Sequence, residues 1–184
     1  MKTVKELFYR PPFVGLLAFV VVFITQGLGH TLMVLVEKFF GSNYQFQAAF
    51  ILGLLGTILL FIGMKNDKEV PATWLGYFAG FFLWTGWVEF SFVFYADYLN
   101  IVQILPDGSI NKFPEYLVMQ SSIGVLMNSL LNFFFNRETK CNFFRFFQRN
   151  MKLSTGKPTR GYKRNYAAVT AMETVYVIWF FYIV

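Results

Sequence analysis

The most informative stretch of the chain runs from Trp74 to Asp97 and reads WLGYFAGFFLWTGWVEFSFVFYAD. Its 24 residues are mainly apolar and hold one internal carboxylate, Glu89. A helix rising about 1.5 Å per residue over this length crosses the roughly 30 Å hydrocarbon core of a bilayer. Ionisable side chains inside such helices are costly and usually face a partner or a water-filled cavity. The stretch therefore predicts a transmembrane helix with a carboxylate of functional interest.

Composition extends this prediction to the whole chain. The 184 residues are 56% hydrophobic, 21% aromatic and 14% charged, whereas soluble domains average roughly 45–50% apolar and 25% charged residues. The net charge is +6, but the basic residues lie between apolar runs, as in membrane loops, so we expect no nucleic-acid partner. The single cysteine, Cys141, excludes an internal disulfide and a CxxC metal or redox pair.

Further apolar runs complete the pattern. We predict an all-α integral membrane protein, with one domain over residues 1–184, a bundle of about five transmembrane helices and one interfacial amphipathic helix. The predicted spans cover about residues 13–36, 48–64, 73–98, 116–135 and 165–184, and a basic cytoplasmic segment occupies 136–164.

Small residues suggest how the third span packs. Gly76 and Gly80 are four residues apart, and Leu83 and Trp87 continue the same stripe at helical spacing. Such stripes let helix backbones approach closely in lipid. We expect Glu89 to lie on a different face of this helix.

Basic residues predict the orientation. Five spans place 14 of the 16 lysines and arginines on the side of the amino terminus. Because positive charge favours the cytoplasmic side, we expect a cytoplasmic amino terminus and an external carboxyl terminus, in a bacterial inner membrane. The alternative is four spans with a re-entrant last segment, which returns the carboxyl end to the cytoplasm.

The basic segment has an amphipathic pattern in its first half. Arg145, Arg149 and Lys152 lie opposite an arc of phenylalanines, as in a helix on a membrane surface. This surface is a candidate contact for anionic lipid headgroups or a cytoplasmic partner. The alternative is a segment that only fixes topology.

Topology also places the candidate site residues. His30 and Glu89 fall in the outer half of the membrane, and Glu37 and Asp97 fall close to the outer interface. Because His30 and Glu89 are each costly alone in hydrocarbon, we expect them to pair, either to specify packing or to handle protons. Gln26, His30 and Glu37 share one helix face that is expected to point inward.

Two further roles are open to ionisable groups in the predicted spans. His30 with carboxylates could hold a divalent ion, but zinc and copper sites usually have more nitrogen or sulfur, so we assign no metal ligands. Glu173 in the last span is a weaker candidate, with Thr170 and Thr174 as local hydrogen-bond partners.

Motifs of catalysis are not visible. The sequence has no nucleophile elbow and no phosphate-binding glycine loop, so we assign no catalytic residue, and the identity of any cofactor stays open. We expect a non-catalytic subunit or accessory protein of a larger membrane assembly, in contact with lipid and with other membrane subunits or a second copy. The alternative is a membrane-embedded enzyme or carrier for a proton, a metal ion or a lipophilic substrate, using His30 and Glu89.

Overall fold

The computed structural model describes residues 13–41, 44–102, 104–110, 114–135, 148, 150–152, 161 and 163–183. Over these ranges the chain is almost entirely helical and has no β-strand. The predicted all-α class is therefore confirmed.

The helices differ in length and in how they connect. In chain order they are α1 (Phe13–Phe40), α2 (Gln45–Met64), α3 (Glu69–Leu83), a π-helical turn (Trp84–Glu89), α4 (Phe90–Tyr98), α5 (Glu115–Ser121), α6 (Ile123–Phe135) and α7 (Tyr166–Ile183). Helix α3, the π turn and α4 are continuous, and we call this 30-residue unit the central helix.

Four helices of the described chain are long and apolar enough to cross a membrane: α1, α2, the central helix and α7. The predicted fourth span instead divides at Ser122 into helices of 7 and 13 residues. Both Ser121 and Ser122 donate their hydroxyls to carbonyls three residues earlier, on Val118 and Met119. Because such side-chain bonds compete with the helical pattern, the helix is interrupted there. The prediction of five continuous spans is therefore wrong for the described residues.

The central helix is the most enclosed element. In its apolar stretch 44% of the residues are buried, against 17% to 22% in the other three candidate spans. Helix α2 packs along one side of it and α7 along the other. The central helix therefore organises the bundle.

Glycines allow this close packing with α7. A Cβ atom added to Gly76 would lie 2.3 Å from the Ala167 carbonyl oxygen, and one added to Gly80 would lie 2.6 Å from that of Ala171. Both distances are shorter than any real carbon contact, so the backbones meet only because these side chains are absent. The predicted packing role of this glycine pair thus has a defined partner helix.

The contact with α2 uses a different side of the central helix. Gly53 of α2 lies against the Trp87 ring, and Gly56 lies against Leu83. The expectation of a single stripe running from Gly76 to Trp87 was therefore wrong. The two halves of that stripe serve two different neighbours.

Contacts at the two ends fix the helix directions. The Asn165 side chain donates to the Met64 carbonyl at 2.9 Å, and Lys163 forms an ion pair with Asp67. At the other end the Tyr182 hydroxyl reaches Glu89. Helix α7 therefore runs parallel to the central helix, from what we call the basic end to what we call the site end.

The two short helices lie between the central helix and α7 in the chain. The central helix ends at the site end with Tyr98, whereas α7 starts at the basic end. Helices α5 and α6 follow Tyr98 in the chain, and both contact α7.

The predicted amphipathic helix lies largely beyond this description. Arg145 and Arg149 fall outside the described residues. Lys152 is exposed in a turn with φ 54°. The proposed lipid or partner surface therefore stays a prediction.

Candidate functional site

Glu89 is the last residue of the π-helical turn in the central helix. A π turn carries one residue more than an α turn, and such turns often mark functional sites. The Glu89 side chain is only 11% exposed. Its carboxylate is thus held inside the bundle at a local irregularity of the backbone.

Two side chains from other helices meet this carboxylate. The Tyr182 hydroxyl of α7 donates to Glu89 Oε1 at 2.8 Å, and Nδ1 of His30 on α1 lies 3.4 Å from the same oxygen. The first distance is that of a firm hydrogen bond and the second is longer than usual. The structure thus brings together the two residues expected to pair, and adds a third; we call these three residues the Glu89 cluster.

The second carboxylate oxygen is in a different situation. Glu89 Oε2 is buried and has no hydrogen-bond partner among the described residues. Nearby, the buried Trp84 ring lies 5.5 Å from the Tyr182 ring. Because an unpaired buried polar atom is costly, the cluster retains unused capacity for a proton or hydrogen bond.

A glycine on α1 makes the approach of His30 possible. A Cβ atom added to Gly29 would lie 2.5 Å from Thr85 Oγ1 and 3.0 Å from the Phe81 ring. Without a side chain at this position α1 lies directly on the central helix one turn before Glu89. The next residue, His30, then reaches the carboxylate.

His30 is more exposed than the carboxylate that it faces. Its side chain is 44% exposed, four times the exposed fraction of the Glu89 side chain. Glu115 and Tyr116, at the start of α5, lie near enough to interact electrostatically with Glu89, and Glu115 also with His30. The imidazole is therefore the accessible member of the cluster, within an acidic surrounding.

The other predicted site residues lie elsewhere. Glu37 is exposed and accepts a 2.8 Å hydrogen bond from Gln45 across the α1–α2 turn. Asp97 is exposed in the last turn of α4. The expectation that Gln26, His30 and Glu37 share an inward face was wrong for Glu37, because the start of α2 provides it with a partner outside the bundle.

The donor set at the cluster is small. Within the described ranges, no group of three or more histidine, cysteine, aspartate or glutamate side chains could hold a metal ion. The cluster offers one imidazole, one carboxylate and one phenol, a set better suited to holding a proton than to enclosing a divalent cation.

Sequence reasoning did not find Tyr182, because a tyrosine in an apolar run has no local signal for such a role. It also missed the π turn, for which the sequence offers no signature that we can identify. The run Gly27-Leu28-Gly29-His30 was the available hint, since glycines beside a membrane histidine indicate a close helix approach.

A second carboxylate lies on the outer surface of α7. The buried residues of α7 are Ala167, Ala171, Thr174 and Ile178, whereas Glu173 is exposed. Glu173 has no hydrogen bond or ion pair among the described residues, and Arg164 acts on it only electrostatically.

This location differs from the expected one. Thr174, expected to satisfy Glu173 locally, is buried against Gly80 of the central helix. Glu173 therefore lies on the exposed side of α7, where no described residue forms a hydrogen bond or an ion pair with it.

No protein-family model, curated protein or solved structure matches this chain.

Proposed function

We propose that this chain is a small polytopic subunit or accessory protein of a larger inner-membrane assembly. The observation that carries the proposal is Glu173, an exposed acidic residue on α7 that has no hydrogen bond or ion pair among the described residues. It lies seven residues after the first residue of α7, or about 10 Å into the helix.

The exterior of the bundle supports a membrane setting. Large apolar side chains remain exposed along α1 and α2, including Leu28 at 60% and Phe50 at 63%. Soluble monomers rarely expose contiguous apolar surfaces of such extent. Acyl chains would cover these residues without cost.

Lipid acyl chains cannot provide Glu173 with a hydrogen-bond partner. Hydrocarbon has no hydrogen-bond donors, and ionisable groups in membrane helices usually pair with one another or face water. A helix of a neighbouring subunit can bring a donor to this depth, because polar side chains bond across helices in membranes. The position of Glu173 therefore favours an assembly over an isolated bundle.

The orientation follows from the basic residues. We place the basic end in the cytoplasm and the Glu89 cluster near the non-cytoplasmic face. Helices α5 and α6 then supply the fifth crossing, interrupted at Ser122. The basic segment 136–164 would contact anionic headgroups on the cytoplasmic side.

A purification experiment tests the proposal. The full chain is extracted with its native lipids, and the mass and stoichiometry of the complex are measured for wild type, Glu173→Leu and the control Phe180→Leu, which also alters an exposed residue of α7. We expect a stoichiometric partner in wild type and in the control, and its loss from Glu173→Leu.

A different result would contradict the assembly. If wild type is monomeric and Glu173→Leu only makes the monomer more heat-stable, Glu173 faces lipid and the chain acts alone. If two identical chains associate, the partner is a second copy of this chain and not a different subunit.

A further inference from the structure

We propose that the Glu89 cluster is a proton-binding site, which takes up and releases one proton at the site end of the bundle through His30. This inference does not depend on the proposed assembly, since all three residues belong to one chain.

The proton count follows from the chemistry of the pair. With the proton bound, His30 and Glu89 together are neutral, either as imidazolium facing carboxylate or as imidazole facing carboxylic acid. Loss of that proton leaves a neutral imidazole and a carboxylate, with one net negative charge. The site therefore exchanges a single proton and needs no other reactant.

The contact distances favour a site that exchanges a proton over a contact that only fixes how the helices pack. Tyr182 holds Oε1 at 2.8 Å, whereas His30 Nδ1 lies 3.4 Å away and Oε2 is buried without a partner in the described chain. A pair that served packing alone would be expected to satisfy both carboxylate oxygens, because each unpaired buried atom is destabilising. In this cluster, Glu89 Oε2 remains available to accept a hydrogen bond or a proton.

The His30 imidazole provides the route by which a proton reaches and leaves the Glu89 carboxylate. Its two nitrogens allow a proton to enter at Nε2 while another leaves Nδ1 toward the carboxylate. The side chain is 44% exposed and the carboxylate 11% exposed, so exchange with the exterior passes through His30.

Other titratable groups around the pair come from two neighbouring elements. Helix α7 contributes Tyr182, and α5 contributes Glu115 and Tyr116, which act electrostatically. A negative Glu115 favours the proton-loaded imidazole and does not compete as a donor. The phenols stay protonated at ordinary pH and act as hydrogen-bond donors.

His30 is the only histidine of the 184 residues, so its signal needs no assignment. The experiment uses the full chain in lipid nanodiscs with ¹⁵N-labelled histidine, and NMR follows both ring nitrogens against pH. The variants are Glu89→Gln and Tyr182→Phe, with the exposed Tyr95→Phe as control.

We expect wild type to show one protonation step between about pH 5 and 8. In Glu89→Gln the imidazole should lose its proton at lower pH, with about a tenfold weaker proton affinity, because the attracting charge is gone. In Tyr182→Phe the step should move to higher pH, because the carboxylate loses a donor that stabilises its charge. Tyr95→Phe should match wild type.

Two results would overturn the proposal: an imidazole that keeps one protonation state across this pH range, or a step that none of the variants moves. If Glu89→Gln does not fold, Tyr182→Phe against Tyr95→Phe decides, because the carboxylate is then retained.

Discussion

The Tyr182 hydroxyl donates a 2.8 Å hydrogen bond to Glu89 Oε1, linking two residues 93 positions apart in the chain. It joins the last turn of α7 to the π turn of the central helix. Together with the glycine contacts near Ala167 at the other end, it sets the register of these two helices over most of their length.

Removal of this hydroxyl should weaken the bundle. We expect Tyr182→Phe to lower the free energy of unfolding by about 1.5–3 kcal/mol, the usual range for a hydrogen bond to a charged group. Tyr95→Phe, on an exposed surface, should change it little. Chemical unfolding in mild detergent measures both, and equal effects would show that the Tyr182 bond contributes nothing.

The glycine contacts make a second prediction. Gly76→Val should destabilise the bundle by about 1–3 kcal/mol, because the added Cβ would overlap the Ala167 backbone. Gly27→Val is the matched control, because nothing lies within 4 Å of a Cβ at that position. Thermal unfolding compares the two variants. A tolerated Gly76→Val would mean that α7 does not pack on this glycine.

Much of this bundle follows from the sequence alone. Long apolar runs predict α1, α2, the central helix and α7, since no other element spans such lengths of apolar side chain. The division at Ser122 could not be predicted in this way. The division depends on whether the serine hydroxyls bond to carbonyls of their own helix or to a neighbouring helix. Tertiary contacts determine which of these bonds forms.

The candidate site could also be predicted only in part from the sequence. Counting residues along each helix placed His30 and Glu89 at the same depth, but depth says nothing about helix rotation. Glu37 and Asp97, which were expected closer to the outer interface, are not part of the cluster. The close approach at Gly29 and the extra residue of the π turn determine the rotation, and both depend on the assembled bundle.

The junction of α5 and α6 also has a testable contact. The Trp179 indole donates to Ser122 Oγ at 2.9 Å, which ties the interruption to α7. A double-mutant cycle of Ser122→Ala and Trp179→Phe should give a coupling of about 0.5–1.5 kcal/mol in unfolding free energy. Strictly additive effects would show that the two side chains do not interact.

The loop at the site end permits a pH prediction. Oδ1 of Asp107 accepts hydrogen bonds from the Ser109 hydroxyl at 2.7 Å and from its backbone N–H at 3.0 Å, and these hold the pKa of Asp107 below its usual value. The resulting stabilisation is present above the unfolded-state pKa and is lost as the pH falls through the lower folded-state value. Ser109→Ala should therefore raise the Asp107 pKa.

Carboxyl ¹³C NMR of Asp107 measures this shift, with the Asp97 signal as internal control. An Asp107 titration that is identical in wild type and in Ser109→Ala would show that the hydroxyl does not contribute.

Sided cysteine labelling tests most directly whether this bundle crosses a membrane as proposed. In a Cys141→Ser background, Lys68→Cys probes the basic end and Ile110→Cys the loop at the site end; both positions are exposed. With a membrane-impermeant thiol reagent on intact cells, we expect labelling at position 110 and none at position 68 until the membrane is permeabilised. Labelling of both positions from the same side would contradict the proposed crossing.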